Sequence, residues 1–200
     1  MEMIVATKNK GKLREFDRIL SPLGIEVVGM EALDIHLDID ENGATFCENA
    51  KIKAQAIHAL TGKPVVADDS GLCVDALGGR PGVYSARYGG EELPYPQKIA
   101  LLLEELREVP PEERTASFEC VIYFVDQNGA GHAFPGSCSG VIGYQCKGDR
   151  GFGYDPIFYL GEESFSSLSD EKKDACSHRG KALRAFAQAL PGILNQQPTK

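Results

Sequence analysis

The sequence predicts an α/β fold with a mixed, twisted central sheet and flanking helices. Three observations carry this. The chain opens with an apolar strand, a polar turn and an amphipathic helix; the run Pro64, Val65, Val66, Ala67 is short and wholly apolar, as in a strand buried on both faces; and residues 115–125 alternate apolar and polar before a tight-turn signal. Parallel strand-helix units account for the first two and an antiparallel pair for the third, hence a mixed sheet.

Taken in order, residues 3–6 form a strand, and 12–20 place Leu13, Phe16, Ile19 and Leu20 at helical spacing until Ser21 and Pro22 stop the helix. Gly24 turns into a strand at 25–28, and the acidic, weakly patterned stretch 31–43 reads as loop. Thr45 with Glu48 three residues on is a capping box that opens a helix running to about Leu60, before Gly62 and Pro64. On that helix Phe46, Ala50, Lys53, Ile57 and Leu60 share a face, so a lysine stands within an apolar stripe. The apolar strand follows and is expected to end at Asp68 and Asp69. Gly78, Gly79, Arg80, Pro81 and Gly82 make a tight turn, and a helix built on Ile99, Leu102, Leu103 and Leu106 runs from Pro96 or Gln97 to Val109. After the alternating strand, Asp126, Gln127, Asn128 and Gly129 mark a hairpin. Further strands are expected at 140–146 and 156–160, and a last helix from a Ser177 cap to Leu190, stopped by Pro191 and Gly192.

Composition narrows the function. A chain of 200 residues with 42% hydrophobic and 25% charged residues reads as one soluble globular domain, 1–200, with no apolar run near membrane-spanning length. The first residues lack a signal-peptide pattern, so a cytoplasmic protein is expected. The net charge of -8 argues against a nucleic-acid partner. Six cysteines without a Cys-x-x-Cys pair, and four histidines without zinc-site spacing, read as reduced thiols and ordinary side chains.

Five local features carry chemistry. Asp68 and Asp69 place two carboxylates side by side, which calls for a divalent cation or a raised pKa; an Asx-type turn closing a strand accounts for the segment equally well. Thr7, Lys8, Asn9, Lys10, Gly11 and Lys12 lie at a helix N-terminus, a phosphate cradle or else a solvated basic turn. It is no Walker loop, because Leu13 stands where Ser or Thr is needed. Lys53 needs an anionic partner unless it snorkels from the edge of its stripe. Phe152, Gly153, Tyr154 and Asp155, after Gly151, offer aromatic rings for stacking on a flat ligand, or pegs for a core. Finally Lys172, Lys173, His178 and Arg179 form a basic cluster; the last two sit just inside a helix N-terminus, against the helix dipole. A metal-bound nucleoside polyphosphate would use all five.

In chain order, residues 7–12, 45–50, 68–72, 78–88, 151–158 and 177–180 resemble the inosine/xanthosine triphosphate pyrophosphatases, and the likeness spans nearly the whole chain. The resemblance implies two lobes around a substrate cleft, a homodimer, and magnesium-dependent hydrolysis of ITP, dITP and XTP to the monophosphate and pyrophosphate. Such enzymes clear deaminated purines from the nucleotide pool. It also implies roles: Thr7, Lys8, Asn9, Lys10, Gly11 and Lys12 on the triphosphate; Asp69 as general base and metal ligand; Ser70, Phe152, Gly153, Tyr154, Asp155, Lys173, His178 and Arg179 on the nucleotide. Of Asp40 and Glu41, one should join Asp69 around magnesium. Lys12, Lys53 and Lys173 would stabilise the leaving group. Pro94 and Pro96 depart from the family pattern in a stretch that is given no catalytic role. A related pyrophosphatase acting on pyrimidine or methylated nucleotides, and a nucleotide sensor without turnover, are the alternatives.

Overall fold

In the computed structural model, which describes residues 1–195, twelve regular elements follow in the order β1 (Glu2–Val5), α1 (Lys10–Leu20), β2 (Glu26–Gly29), α2 (Phe46–Thr61), β3 (Val65–Val74), α3 (Tyr95–Glu105), β4 (Thr115–Val125), β5 (Gly131–Ile142), β6 (Phe158–Leu160), β7 (Glu163–Ser164), α4 (Asp170–Cys176) and α5 (His178–Asn195). Seven strands form one sheet in the order β2-β1-β3-β4-β5-β6-β7. It is mixed, as expected: β1 is parallel to β2 and β3, whereas β6 is antiparallel to β5 and β7.

The chain divides into two compact units. The first comprises residues 1–69, 120–136 and the chain from Arg179. Strand alternation sorts its apolar side chains into two cores. Met3, Val5 and Val66 join Phe16, Leu20, Phe124 and Phe186 of α1, β4 and α5. Ile4, Val65 and Ala67 meet Ala54 and Ile57 of α2 instead. The second unit, residues 70–119 and 137–178, packs Leu72, Leu102, Phe118, Ile142, Phe158 and Phe165 together.

Several boundaries differ from expectation, each for a physical reason. β3 does not stop at the aspartates; it runs on to Val74. Its pairing with β1 covers only Val65 and Val66, but β4 adjoins it in the sheet, and Ser85 Oγ accepts from Leu72 N–H at 2.9 Å further along. The strand expected at 140–146 is the end of β5, which stops at Ile142. There the buried Arg114 guanidinium takes the carbonyls of Ile142 and Gly143 at 3.0 and 3.1 Å, so these acceptors are satisfied by a side chain. Its third donor takes Leu106 O at 2.8 Å, just after α3 ends, four residues short of the expected Val109. Leu60 is exposed rather than part of the buried stripe, which runs Asn49, Ala50, Lys53, Ala54, Ile57. α5 continues through Pro191 to Asn195. A proline omits one helical hydrogen bond, and Ile193 and Leu194 pack against the core beyond it.

The hairpin signal holds. Asp126 Oδ1 accepts from the N–H groups of Asn128 and Ala130 at 2.8 and 3.0 Å, and Oδ2 meets His132 Nε2 at 3.3 Å. Burial alone would push this carboxyl up, but the His132 contact and the two N–H groups outweigh it and hold it below the ordinary carboxylate range. A depressed carboxyl stabilises the fold above its unfolded pKa of about 4, and that contribution is lost as pH falls through the lower folded value. Asp126→Ala should therefore cost roughly 1–3 kcal/mol at neutral pH, with the difference from wild type shrinking in acid, as read from urea midpoints across pH.

Candidate active site

The adjacent carboxylates face opposite ways. Val66 points into the core with α1 and α5, Ala67 into the core with α2, and the alternation continues. Asp68 thus meets Lys12 of α1 and Arg179 of α5, while Asp69 meets Asn49 and Lys53 of α2. The Asx-type turn that could have closed the strand at these aspartates is absent, because β3 runs on to Val74.

On the α2 side, Asn49 Nδ2 donates to Asp69 Oδ2 at 3.2 Å, and Lys53 Nζ lies 3.6 Å from Asp69 Oδ1 and 2.6 Å from Glu41 Oε2. Lys53 is therefore the buried lysine with anionic partners that its stripe demanded. Burial disfavours its charge, but Asp69, Asp68 and Glu41 more than compensate and raise its pKa. Asp69 is raised, chiefly by burial, with Lys53 and Lys12 acting in the opposite sense. Asp40, by contrast, is exposed and meets Asn42 at 3.4 Å. Asn49 is a residue that sequence reasoning quoted but gave no role. Its signal was its position one helical turn before Lys53.

The other side of β3 is an ion cluster. Asp68 Oδ2 accepts from Lys12 Nζ at 3.0 Å and from Arg179 Nε and Nη2 at 3.0 and 2.9 Å, and Arg179 Nη1 donates to Glu15. Burial would raise Asp68, yet the two cations hold it far below the usual carboxylate range. Glu15 was not singled out from the sequence; its place at i+3 from Lys12 in α1 was the available clue.

In the cradle, α1 begins at Lys10, earlier than the spacing of apolar residues indicated, because Asn9 caps it. Asn9 Oδ1 accepts from Gly11 and Lys12 N–H at 2.8 and 3.1 Å, and Thr7 Oγ1 accepts from Asn9 N–H at 3.1 Å. Lys8 and Lys10 form exposed pairs with Asp38 and Glu31 at 2.8 and 3.5 Å, contacts weak enough for an incoming anion to replace. A cavity of about 350 Å³ opens here, with Thr7, Lys8, Asn9, Lys10, Glu31 and His36 in its lining.

The second unit holds the remaining expected residues apart from Arg179. Asp155 is buried and accepts from Phe152 N–H at 2.8 Å and Lys173 Nζ at 2.6 Å. The Lys173 ammonium also lies 4.8 Å from the centre of the Phe152 ring, a cation–π contact. His178 stacks on Phe118 with centroids 4.7 Å apart. Tyr154 is a core peg: its hydroxyl donates to Ser85 O at 3.0 Å and its ring meets Tyr95 edge-on. Lys172 is exposed on α4, a short helix the sequence reading did not foresee, and Gly153 and Ser70 are partly buried.

The sequence model of the Ham1 family matches residues 3–189. The chain belongs to the Ham1 family. A relative from Desulforamulus reducens named dITP/XTP pyrophosphatase is 47% identical over 192 residues, spanning 95% of this chain and 96% of that protein. Another of the same name, from Geobacillus kaustophilus, is 46% identical over 91% of this chain and 90% of its own length. The solved structure of the Staphylococcus aureus Ham1 protein superposes with a TM-score of 0.85 at 39% identity, covering 96% of this chain and all of that one. Among the described residues of this Ham1 chain, no three or more His, Cys, Asp or Glu side chains form a metal cluster, and no helix is long and apolar enough to cross a membrane.

One backbone position is decisive for the Phe152–Asp155 loop. Gly151 has φ +73°, and a Cβ there would lie 2.1 Å from Asp155 Oδ2. Gly151→Ala should destabilise the protein by roughly 1–3 kcal/mol, measured by urea denaturation, because it imposes backbone strain and displaces the carboxylate that holds Lys173.

Proposed function

We propose that this chain hydrolyses the non-canonical purine nucleoside triphosphates ITP, dITP and XTP to the nucleoside monophosphate and pyrophosphate, removing deaminated purines from the nucleotide pool. The name borne by relatives alike over nearly the whole chain supports this, and the convergence of Glu41 and Asp69 on Lys53 supports a site at that point.

Two carboxylates gathered at one ammonium fit a hard divalent ion, since magnesium commonly takes one or two carboxylates and completes its shell with water and substrate phosphates. Glu41 and Asp69 would hold Mg²⁺, which when bound lowers the pKa of water and neutralises phosphate charge. Asp69, which burial makes the more basic of the two adjacent carboxylates, is the one suited to accept the proton. Water attacks the α-phosphorus in line, the bond from that phosphorus to the bridging oxygen breaks, and the water proton passes to the Asp69 carboxylate. Asn49 holds one oxygen of that carboxylate, fixing the direction of the other. Lys12 and Lys53 meet the charge accumulating on the departing pyrophosphate. In this reading residues 7–12 take the triphosphate and Phe152, Asp155, Lys173 and His178 the base, with donors that suit a 6-oxo group and leave buried groups unpaired against an amino group. The chain works as a single domain, as a homodimer, in the cytoplasm; six free thiols accord with a reducing compartment.

Incubation with ITP, XTP, dITP, ATP and a pyrimidine triphosphate plus magnesium should release pyrophosphate from the first three and little from the others. Orthophosphate as the primary product, or equal rates on ATP, would sink the assignment. Asp69→Asn should bind ITP, by calorimetry, while turnover falls by roughly 10²-fold or more.

A further inference from the structure

Asp68 is a buried acid with no direct part in the reaction. It neighbours the base in sequence, but its carboxylate is turned to the other side of β3. There two acids and two bases, Glu15, Arg179, Asp68 and Lys12, neutralise one another inside the protein. Such a cluster is a poor device for stability alone, because desolvation offsets much of the Coulombic gain and an apolar set of similar volume can hold helices to a strand equally well.

Its layout points to another purpose. The side chains of Asp68, Arg179 and Glu15 are 0%, 2% and 4% exposed, whereas that of Lys12 is 15% exposed. The end of the cluster that opens outward is thus an ammonium in the first turn of α1, in the cradle itself. A lysine head on four methylenes samples many positions unless something fixes it. Asp68 does so from a strand, and Asp68 is itself gripped by two guanidinium nitrogens whose third neighbour is engaged on Glu15.

We propose that Asp68 is a positioning residue for the hydrolysis: held by Arg179 and Glu15, it fixes the Lys12 ammonium where the polyphosphate binds, and its main effect on turnover runs through Lys12. The proposal deepens the pyrophosphatase reading and rests on it. Arg179, in this arrangement, contributes through Asp68.

The test is a double-mutant cycle in kcat and KM for ITP with magnesium, using wild type, Lys12→Met, Asp68→Asn and the double variant, with thermal unfolding of each. Both single variants should lower kcat/KM by roughly tenfold or more with the same division between kcat and KM, and the double should lie within about threefold of Lys12→Met, because residues acting as one unit are non-additive. A merely structural Asp68 would add its loss in either background. The double keeps acids and bases equal in number, so its comparison with Lys12→Met decides the matter even where Asp68→Asn alone fails to fold. Wild-type kcat/KM in Asp68→Asn, a double variant tenfold worse than Lys12→Met, or a double variant that does not fold overturns the proposal. Wild-type protein inert toward ITP overturns the pyrophosphatase reading, and this proposal with it.

Discussion

Neighbouring residues of a strand face opposite ways, and in β3 that constraint separates two carboxylates that would otherwise repel. Asp69 is delivered to α2, where Lys53 and Asn49 hold it beside Glu41. Asp68 is delivered to α1 and α5, where it is neutralised outright by Lys12 and Arg179. Each acid is paired directly with different cations, and their shifts differ in sign: burial pushes Asp69 up, while Lys12 and Arg179 hold Asp68 down, although the two share a peptide bond. The same alternation places Val66 and Ala67 in different cores, so the packing that orients the strand also orients the two carboxylates that follow.

Helix faces supply the complementary half of the arrangement. Lys53 is buried because its position lies between Asn49 and Ile57 on the stripe that packs against the sheet. Burial costs an ammonium its hydration, and the Glu41 and Asp69 carboxylates restore what is lost. In the second unit the same logic recurs on a loop: Lys173 is buried, Asp155 neutralises it, Phe152 covers it, and Gly151 leaves room for the carboxylate.

Much of this was legible in the residues. The strand-helix opening, the capping box at Thr45 and Glu48, the hairpin at Asn128 and Gly129 and the mixed sheet all follow from short-range patterns, and the structure has them. Lys53 announced itself because a lysine within an apolar stripe is a contradiction that needs an acid to resolve it. The misreadings share a cause. The end of β3, the passage of α5 through Pro191 and the end of β5 depend on neighbours distant in sequence: β4 in the sheet, the core under Ile193 and Leu194, and the Arg114 guanidinium.

By itself the sequence determined the element types, the family motifs and the inventory of charged groups, because periodicity, caps and turns are properties of adjacent residues. Which charge meets which was decided only by the tertiary structure. Glu41 and not Asp40 reaches Lys53, and Arg179 lies on Glu15 and Asp68, pairs separated by 164 and 111 positions. A carboxylate's partner is set by the face its strand turns toward and by the helix packed there, and neither is written in the residues beside it.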